Sequence, residues 1–303
     1  MLINKTIPFG YVFRSIRSDL VRVLLISVFF QLMQHFYLRF LPAIPLQLAT
    51  LLGSAISLLL AFILSQSYDR WWEARKVWGA IVNDSRTLVL QVQGFVPNAV
   101  LRPGEADSPL RAVAYRQIAW CYALGRSLRG QEVESALEPF LSAQELAAVR
   151  HHTNKPLALV GLHTDQIKTL YEEQALDGWA RAQLDATLVR LVDSMGKAER
   201  IKSTVFPVAY RQLVHFFVYL FVVVLSLSLV ETIGWWEPPV LLVIAGSFLL
   251  LERTAGHLQD PFSNQPTDTP VTAIARTIEI NLKQLVAEGT VPAPAQAESY
   301  YLM

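Results

Sequence analysis

The sequence predicts an all-α membrane protein with four transmembrane helices and a large cytosolic helical region. Hydrophobic residues make up 52% of the 303 residues and charged residues only 17%, whereas charged residues reach about 25% in a typical soluble domain. The apolar residues concentrate in long runs of the kind that cross a bilayer. The segments between these runs mix apolar and polar residues at helical spacing and show no strand-like alternation.

These patterns divide the chain into five segments. The predicted segments are a cytosolic N-terminal segment (1–22), transmembrane helices 1 and 2 (23–68), a cytosolic helical region (69–206), transmembrane helices 3 and 4 (207–256), and a cytosolic C-terminal tail (257–303). The first apolar run is Val23–Leu41, and four basic residues precede it. Polar residues inside this run indicate that it packs against other helices rather than facing lipid all round.

The second apolar run organises the chain. It carries no charge from Leu51 onward until it turns charged and aromatic at Tyr68, as expected for a helix that leaves the bilayer and continues into water. Ser54, Leu58 and Phe62 are four residues apart and therefore lie on one face of this helix. That face either lines a narrow hydrophobic pore between assembled copies of the chain, or it packs against neighbouring helices or lipid.

The region 69–206 is predicted to be soluble and helical. Ser142 followed by Glu145 has the form of a capping box, which starts a helix. Residues Val96–Pro109, rich in proline, are predicted to form a loop. The predicted helices are Arg111–Arg129, Ser142–His151, Leu157–Gln174 and Trp179–Lys202.

The third and fourth apolar runs are Leu213–Val230 and Val240–Leu251, the latter extending to about Gly256. The short segment Glu231–Pro239 between them is predicted to be an interfacial turn. The tail then contains an amphipathic helix, Val271–Glu288. Basic residues crowd the N-terminal flank and the exit of the second run, while the two short turns are poor in them, so both termini and the helical region are predicted to be cytoplasmic.

The sequence offers little for catalysis. It contains no phosphate-binding glycine loop, no nucleophile elbow and no HExxH motif. The single Cys121 excludes an intrachain disulfide, and His151, His152 and His163 are interpreted as surface or helix-capping residues rather than metal ligands. We therefore expect no enzyme activity, no metal and no cofactor. A net charge of +1 gives no reason to expect nucleic-acid binding.

Three segments carry a resemblance to a known family. Ser67–Leu88, Gly196–Tyr210 and Leu258–Leu282 resemble, in order and spacing, the bacterial branch of the bestrophin family. The resemblance implies a homopentameric ion channel of the bacterial inner membrane, with one pore on the symmetry axis. It also implies that the second transmembrane helix lines a hydrophobic neck with Ser54, Leu58 and Phe62. Ser54 departs from the family pattern, in which a bulky residue stands at this position.

Two further residues have expected roles. The resemblance implies that Trp179 narrows the cytosolic exit of the pore, and Asp260 is expected either to act as a cap or to tie the tail to a neighbouring subunit. Animal bestrophins have an acidic calcium clasp after the fourth span, but Asp260 alone supplies too few oxygens for a calcium site of six to eight ligands. We therefore expect no calcium gating at that position.

The choice of ion stays open at this level. The resemblance favours chloride and other small anions as the conducted partners, and the positive edges of aromatic rings fit that choice. One alternative is a channel of the same architecture that passes sodium or potassium. Another is a membrane-anchored signalling or scaffold protein without a pore.

Overall fold

The protein is built from helices. The computed structural model describes residues 8–37, 44–102, 105, 107–204, 207–297, 300 and 301, and these residues form no β-strand. The helices are α1 (Phe9–Tyr37), α2 (Leu46–Phe95), α3 (Asn98–Leu101), α4 (Pro109–Leu128), α5 (Glu134–Leu137), α6 (Ala143–Arg150), α7 (Lys155–Glu172), α8 (Gly178–Ser203), α9 (Val208–Ile233), α10 (Glu237–Gln259) and α11 (Val271–Leu285). The predicted all-α fold is confirmed.

The described residues form two compact units. We call the unit made of residues 8–71 and 207–260 the apolar unit, and the unit made of residues 72–204 and 261–301 the helical body. Helix α2 contributes to both, because its first half belongs to the apolar unit and its second half to the helical body.

The apolar unit has a core between α1, α2, α9 and α10. Val23, Leu60, Val218 and Leu241 are among its buried side chains. Helix α2 approaches α9 closely at Gly53, where an added Cβ atom would lie 3.1 Å from the ring of Phe221. A larger residue at this position would therefore require the Phe221 ring to move by a few tenths of an ångström.

Two stretches of the described residues are long and apolar enough to cross a membrane, judged by length and composition. They are Leu46–Phe95 and Val208–Gln259. The second stretch contains α9 and α10, joined by a single 3-10 turn at Gly234–Trp236. Helix α1 begins well before the first predicted apolar run, and residues 38–41 of that run lie outside the described residues.

A buried carboxylate joins three helices of the apolar unit. Glu237 was predicted to lie in an interfacial turn, but it is fully buried at the start of α10. Its carboxylate accepts hydrogen bonds from the hydroxyls of Ser27 in α1 and of Ser226 in α9, the latter at 2.7 Å. The amide of Gln31 donates to the carbonyl oxygen of Gly234 at 2.7 Å. The turn itself is shorter than predicted, Gly234–Trp236, and Glu237 already belongs to α10, where these partners and the helix N-terminus compensate for its burial.

The core of the helical body surrounds α4. Trp78 from α2, Trp120 from α4 and Phe262 from the tail are completely buried in it. The predicted capping box is confirmed, since Ser142 and Glu145 bond each other's backbone N–H groups at the start of α6. The predicted loop differs in detail, because α3 lies within it and α4 already begins at its last residue, Pro109.

One histidine of the helical body differs from its interpretation in the sequence. His151 follows α6 as its C-terminal cap and His152 is exposed, as expected. His163 in α7, in contrast, is only 1% exposed, and its Nε2 atom has no hydrogen-bond partner among the described residues. Burial lowers the pKa of His163 well below 6.5, and the positive charge of Arg116 adds to this effect. The imidazole is therefore neutral in the folded protein at neutral pH.

The burial of His163 predicts a pH-dependent stability. A histidine whose pKa is lowered in the folded state takes up its proton on unfolding, so stability falls as the pH drops below the unfolded pKa of 6.5. The slope from this one group is at most about 1.4 kcal/mol per pH unit. We expect the thermal midpoint of the detergent-solubilised full chain to fall between pH 7 and pH 5. The His163→Leu variant should lose part of this dependence, and an unchanged pH profile in that variant would contradict the assignment.

Candidate functional site

The three predicted neck residues lie on an uncovered face of α2. Leu58 is 61% exposed and Phe62 57% exposed, and Ser54 is exposed beside them. The opposite face carries Ile56 and Leu60, which are buried in the core of the apolar unit. The described residues of this chain therefore leave the Ser54–Leu58–Phe62 face uncovered.

The polar groups of this face bond within the helix. The hydroxyl of Ser54 donates to the carbonyl oxygen of Thr50 at 2.9 Å, and the hydroxyl of Thr50 donates to the carbonyl oxygen of Leu46 at 3.0 Å. Both donors are therefore occupied by the backbone four residues earlier. This lowers the polarity of Ser54, so the character of the face is set chiefly by the apolar side chains of Leu58 and Phe62. An open recess of about 420 Å³ lies at the start of the same face, beside Leu51.

Trp179 lies in the first turn of α8, in the helical body. Asp177 caps this helix by accepting a hydrogen bond from the Ala180 N–H at 2.6 Å, which fixes the turn that carries the tryptophan. The indole packs edge-on against Phe95, the last residue of α2, with ring centroids 5.5 Å apart. It is nevertheless 64% exposed. The side chain is thus supported on one side and open on the other.

Asp260 follows the last residue of α10. Its negative charge acts on Arg70 of α2, whose Nε atom donates a hydrogen bond to the carbonyl oxygen of Gln259. These contacts tie the end of α10 to α2 within the apolar unit. Among the described residues, no group of three or more His, Cys, Asp or Glu side chains could hold a metal ion.

The lone cysteine has the environment of a core residue. Cys121 is completely buried in α4, and burial raises the pKa of its thiol to about 12. Only the thiolate is an effective nucleophile. At neutral pH this residue is protonated and out of reach of solvent, which fits packing rather than catalysis.

Sequence reasoning missed a charged cluster in the apolar unit. Asp19 of α1 is buried, and it accepts hydrogen bonds from the Arg22 guanidinium at 2.9 Å and from the Tyr219 hydroxyl at 3.0 Å. Glu252 of α10 lies 2.9 Å from the ring of His215 in α9. The signal for this cluster was present, since charged residues stand at the ends of three apolar runs. Their pairing could not be inferred, because the partners are far apart in the sequence.

Comparison with known proteins identifies the family. The family model described as "Bacterial/Fungal Bestrophin protein" matches residues 5–284. A protein of Ralstonia nicotianae named "Voltage-dependent anion channel-forming protein RSc3414" is 30% identical over 84% of this chain and 81% of its own. The protein of the same description named YneE in Escherichia coli K12 is 28% identical over 96% of this chain and 93% of its own.

A solved structure shares the fold. The crystal structure of a bacterial bestrophin homologue from Klebsiella pneumoniae superimposes with a TM-score of 0.83 at 28% identity, covering 91% of this chain and 100% of that one. The family model and the structural match both extend over nearly the whole chain. The resemblance inferred from the three sequence segments is thus confirmed, and the chain belongs to the bestrophin family, in its bacterial and fungal branch.

Proposed function

We propose that this chain forms a homopentameric channel of the bacterial inner membrane that conducts small anions such as chloride. The observation that carries this proposal is the uncovered face of Ser54, Leu58 and Phe62 on α2, in a member of the bestrophin family. Relatives over most of the chain that are named anion channel-forming proteins support the choice of anion. In this proposal the protein is a channel and not an enzyme.

The neck gates by excluding water. Leu58 and Phe62 offer no hydrogen-bonding group to replace the hydration shell of an ion, so a narrow ring of these side chains dewets and blocks conduction. Phe62 is the larger of the two and forms the tighter ring. Ser54, whose hydroxyl bonds to its own helix, forms a wider and more polar ring next to it.

Aromatic groups at the two constrictions support anion passage. The edge of a phenylalanine or tryptophan ring carries partial positive charge, and Trp179 also has an indole N–H donor. The exposure of Trp179 is consistent with a role at the cytosolic aperture. No charged side chain is needed at either constriction.

Four spans with both termini in the cytosol fit the distribution of side chains. Basic residues lie before the first span, while the turn between α9 and α10 presents Trp235 and Trp236, which are 78% and 73% exposed. Tryptophans prefer the membrane–water interface and arginines and lysines the cytosolic side. In this proposal the turn lies at the outer surface, residues 69–206 and 257–303 lie in the cytosol, and Asp260 ties the tail to a neighbouring subunit without binding calcium.

Phe62→Ala should open the neck. Removing the ring widens and wets the tightest constriction, and we expect roughly tenfold greater chloride flux into liposomes, equivalent to about 1.4 kcal/mol off the barrier. Phe29→Ala is the matched control, because Phe29 is a similarly exposed phenylalanine on α1. Equal flux from Phe62→Ala, Phe29→Ala and unchanged protein would show that Phe62 faces lipid.

Trp179→Ala should act at the cytosolic aperture. Loss of the indole removes a constriction but leaves the neck intact, so we expect greater single-channel conductance with an unchanged open probability. The control is Trp235→Ala, which removes an exposed tryptophan from the turn between α9 and α10. If both variants conduct like the unchanged protein, Trp179 does not line the pathway.

The reversal potential decides the conducted ion. In a planar bilayer with a tenfold gradient of KCl or NaCl, an anion-selective channel reverses near the chloride potential, about 59 mV in magnitude for a monovalent ion. Reversal near the cation potential would assign the channel to sodium or potassium. Absence of current from the reconstituted protein would favour the scaffold alternative.

A further inference from the structure

The charged cluster that was not predicted from the sequence lines a cavity of about 600 Å³ in the apolar unit. The cavity lies between α1, α9 and α10, away from the Ser54–Leu58–Phe62 face of α2. The charged and titratable side chains that matter here are Asp19, Arg22, Arg211, His215, Glu252 and Arg253.

The cavity lies at one end of three apolar runs. Arg22 directly precedes the run that starts at Val23, Arg211 stands two residues before the run that starts at Leu213, and Glu252 directly follows Leu251. The proposed membrane insertion therefore puts the cavity at the depth of the lipid headgroups of the cytosolic leaflet. The inference rests on that part of the proposed function, and not on ion conduction.

The carboxylates of the cavity already have partners. Asp19 accepts hydrogen bonds from Arg22 and Tyr219, and Glu252 bonds to His215. These bonds engage the carboxylate oxygens within the protein, and the three arginines of the lining outnumber its two carboxylates.

The arginines retain free donors. The side chain of Arg211 makes no hydrogen bond or ion pair with the part of the chain that the structure describes. Arg253 donates from Nε to the carbonyl oxygen of Ser15 at 3.1 Å, and its Nη2 atom lies 3.9 Å from Asp19, too far for a hydrogen bond. About half of the Arg253 side chain is exposed. Planar guanidinium groups with free N–H donors bind phosphate oxygens in pairs, a geometry that a spherical ion cannot use as well.

We propose that this cavity binds a phosphate group, held by Arg211 and Arg253 with Arg22 at its edge. The shared chemistry is that of an anionic phosphate, which comes either from a phospholipid of the cytosolic leaflet or from free phosphate. Basic pockets between membrane helices are known to take such headgroups. A phosphate bound here bridges α1, α9 and α10 and stabilises their packing.

The proposal is tested by binding to the full-length protein in detergent. Native mass spectrometry measures adducts with phosphatidylglycerol and with diacylglycerol, which lacks the phosphate, and thermal unfolding measures stabilisation by each lipid and by inorganic phosphate. We expect phosphatidylglycerol to bind and to raise the thermal midpoint, while diacylglycerol does neither. Stabilisation by inorganic phosphate alone identifies a soluble source. Equal binding of the two lipids, with no effect of phosphate, would overturn the proposal.

Variants separate this cavity from general charge attraction. Arg211→Gln should weaken binding about tenfold, the effect of losing one charge-assisted hydrogen-bonding pair, and Arg211→Lys should weaken it less. Arg17→Gln is the matched control, because Arg17 is an exposed arginine of α1 that does not line the cavity. Arg211→Gln should keep the lipid-free thermal midpoint, since Arg211 has no partner to lose. Equal losses in Arg211→Gln and Arg17→Gln would show non-specific attraction and refute the site.

Binding is measured without flux, so an inactive channel that still binds phosphatidylglycerol would refute conduction and leave the cavity assignment intact.

Discussion

A segment that crosses lipid must satisfy all of its backbone hydrogen bonds within itself, because the hydrocarbon offers no partners. Helices meet this constraint, and α2 does so over 50 residues. A helix can turn only part of its circumference toward its own chain. In α2 that part carries Ile56 and Leu60, while Leu58 and Phe62 remain uncovered. The proposed pore is lined by the face of α2 that the rest of a single chain does not cover.

Polar side chains then hold the apolar helices together at specific points. Glu237 joins α1, α9 and α10 through Ser27 and Ser226. Asp19 joins α1 to α9 through Tyr219. A buried polar group that loses its partner costs about 1–3 kcal/mol, and more if it is charged. Apolar contacts alone allow helices to slide or rotate, whereas these bonds are satisfied in only one arrangement.

The apolar unit therefore separates two kinds of surface. The α2 face has no charge, so in the proposed channel it acts on an ion by offering no hydrogen-bonding group to replace the ion's hydration shell. The cavity between α1, α9 and α10 concentrates arginines whose donors are incompletely used. The α2 face suits a hydrophobic gate, and the arginine-lined cavity suits a bound anion at the membrane–water interface. The cavity is formed by α1, α9 and α10, and α9 packs closely against α2 at Gly53, so in the proposed channel a ligand that stiffens this packing also supports the helix that carries the proposed neck residues.

The sequence by itself determined the local structure: the all-α class, the capping box of Ser142 and Glu145, and the spacing that puts Ser54, Leu58 and Phe62 on one face. These features depend on residues three or four apart, which a helix brings together without further information. Only the tertiary structure decided that Glu237 and His163 are buried and that Asp19 meets Tyr219. Periodicity shows which residues share a face, but the partner that covers the face lies elsewhere in the chain and is chosen by packing.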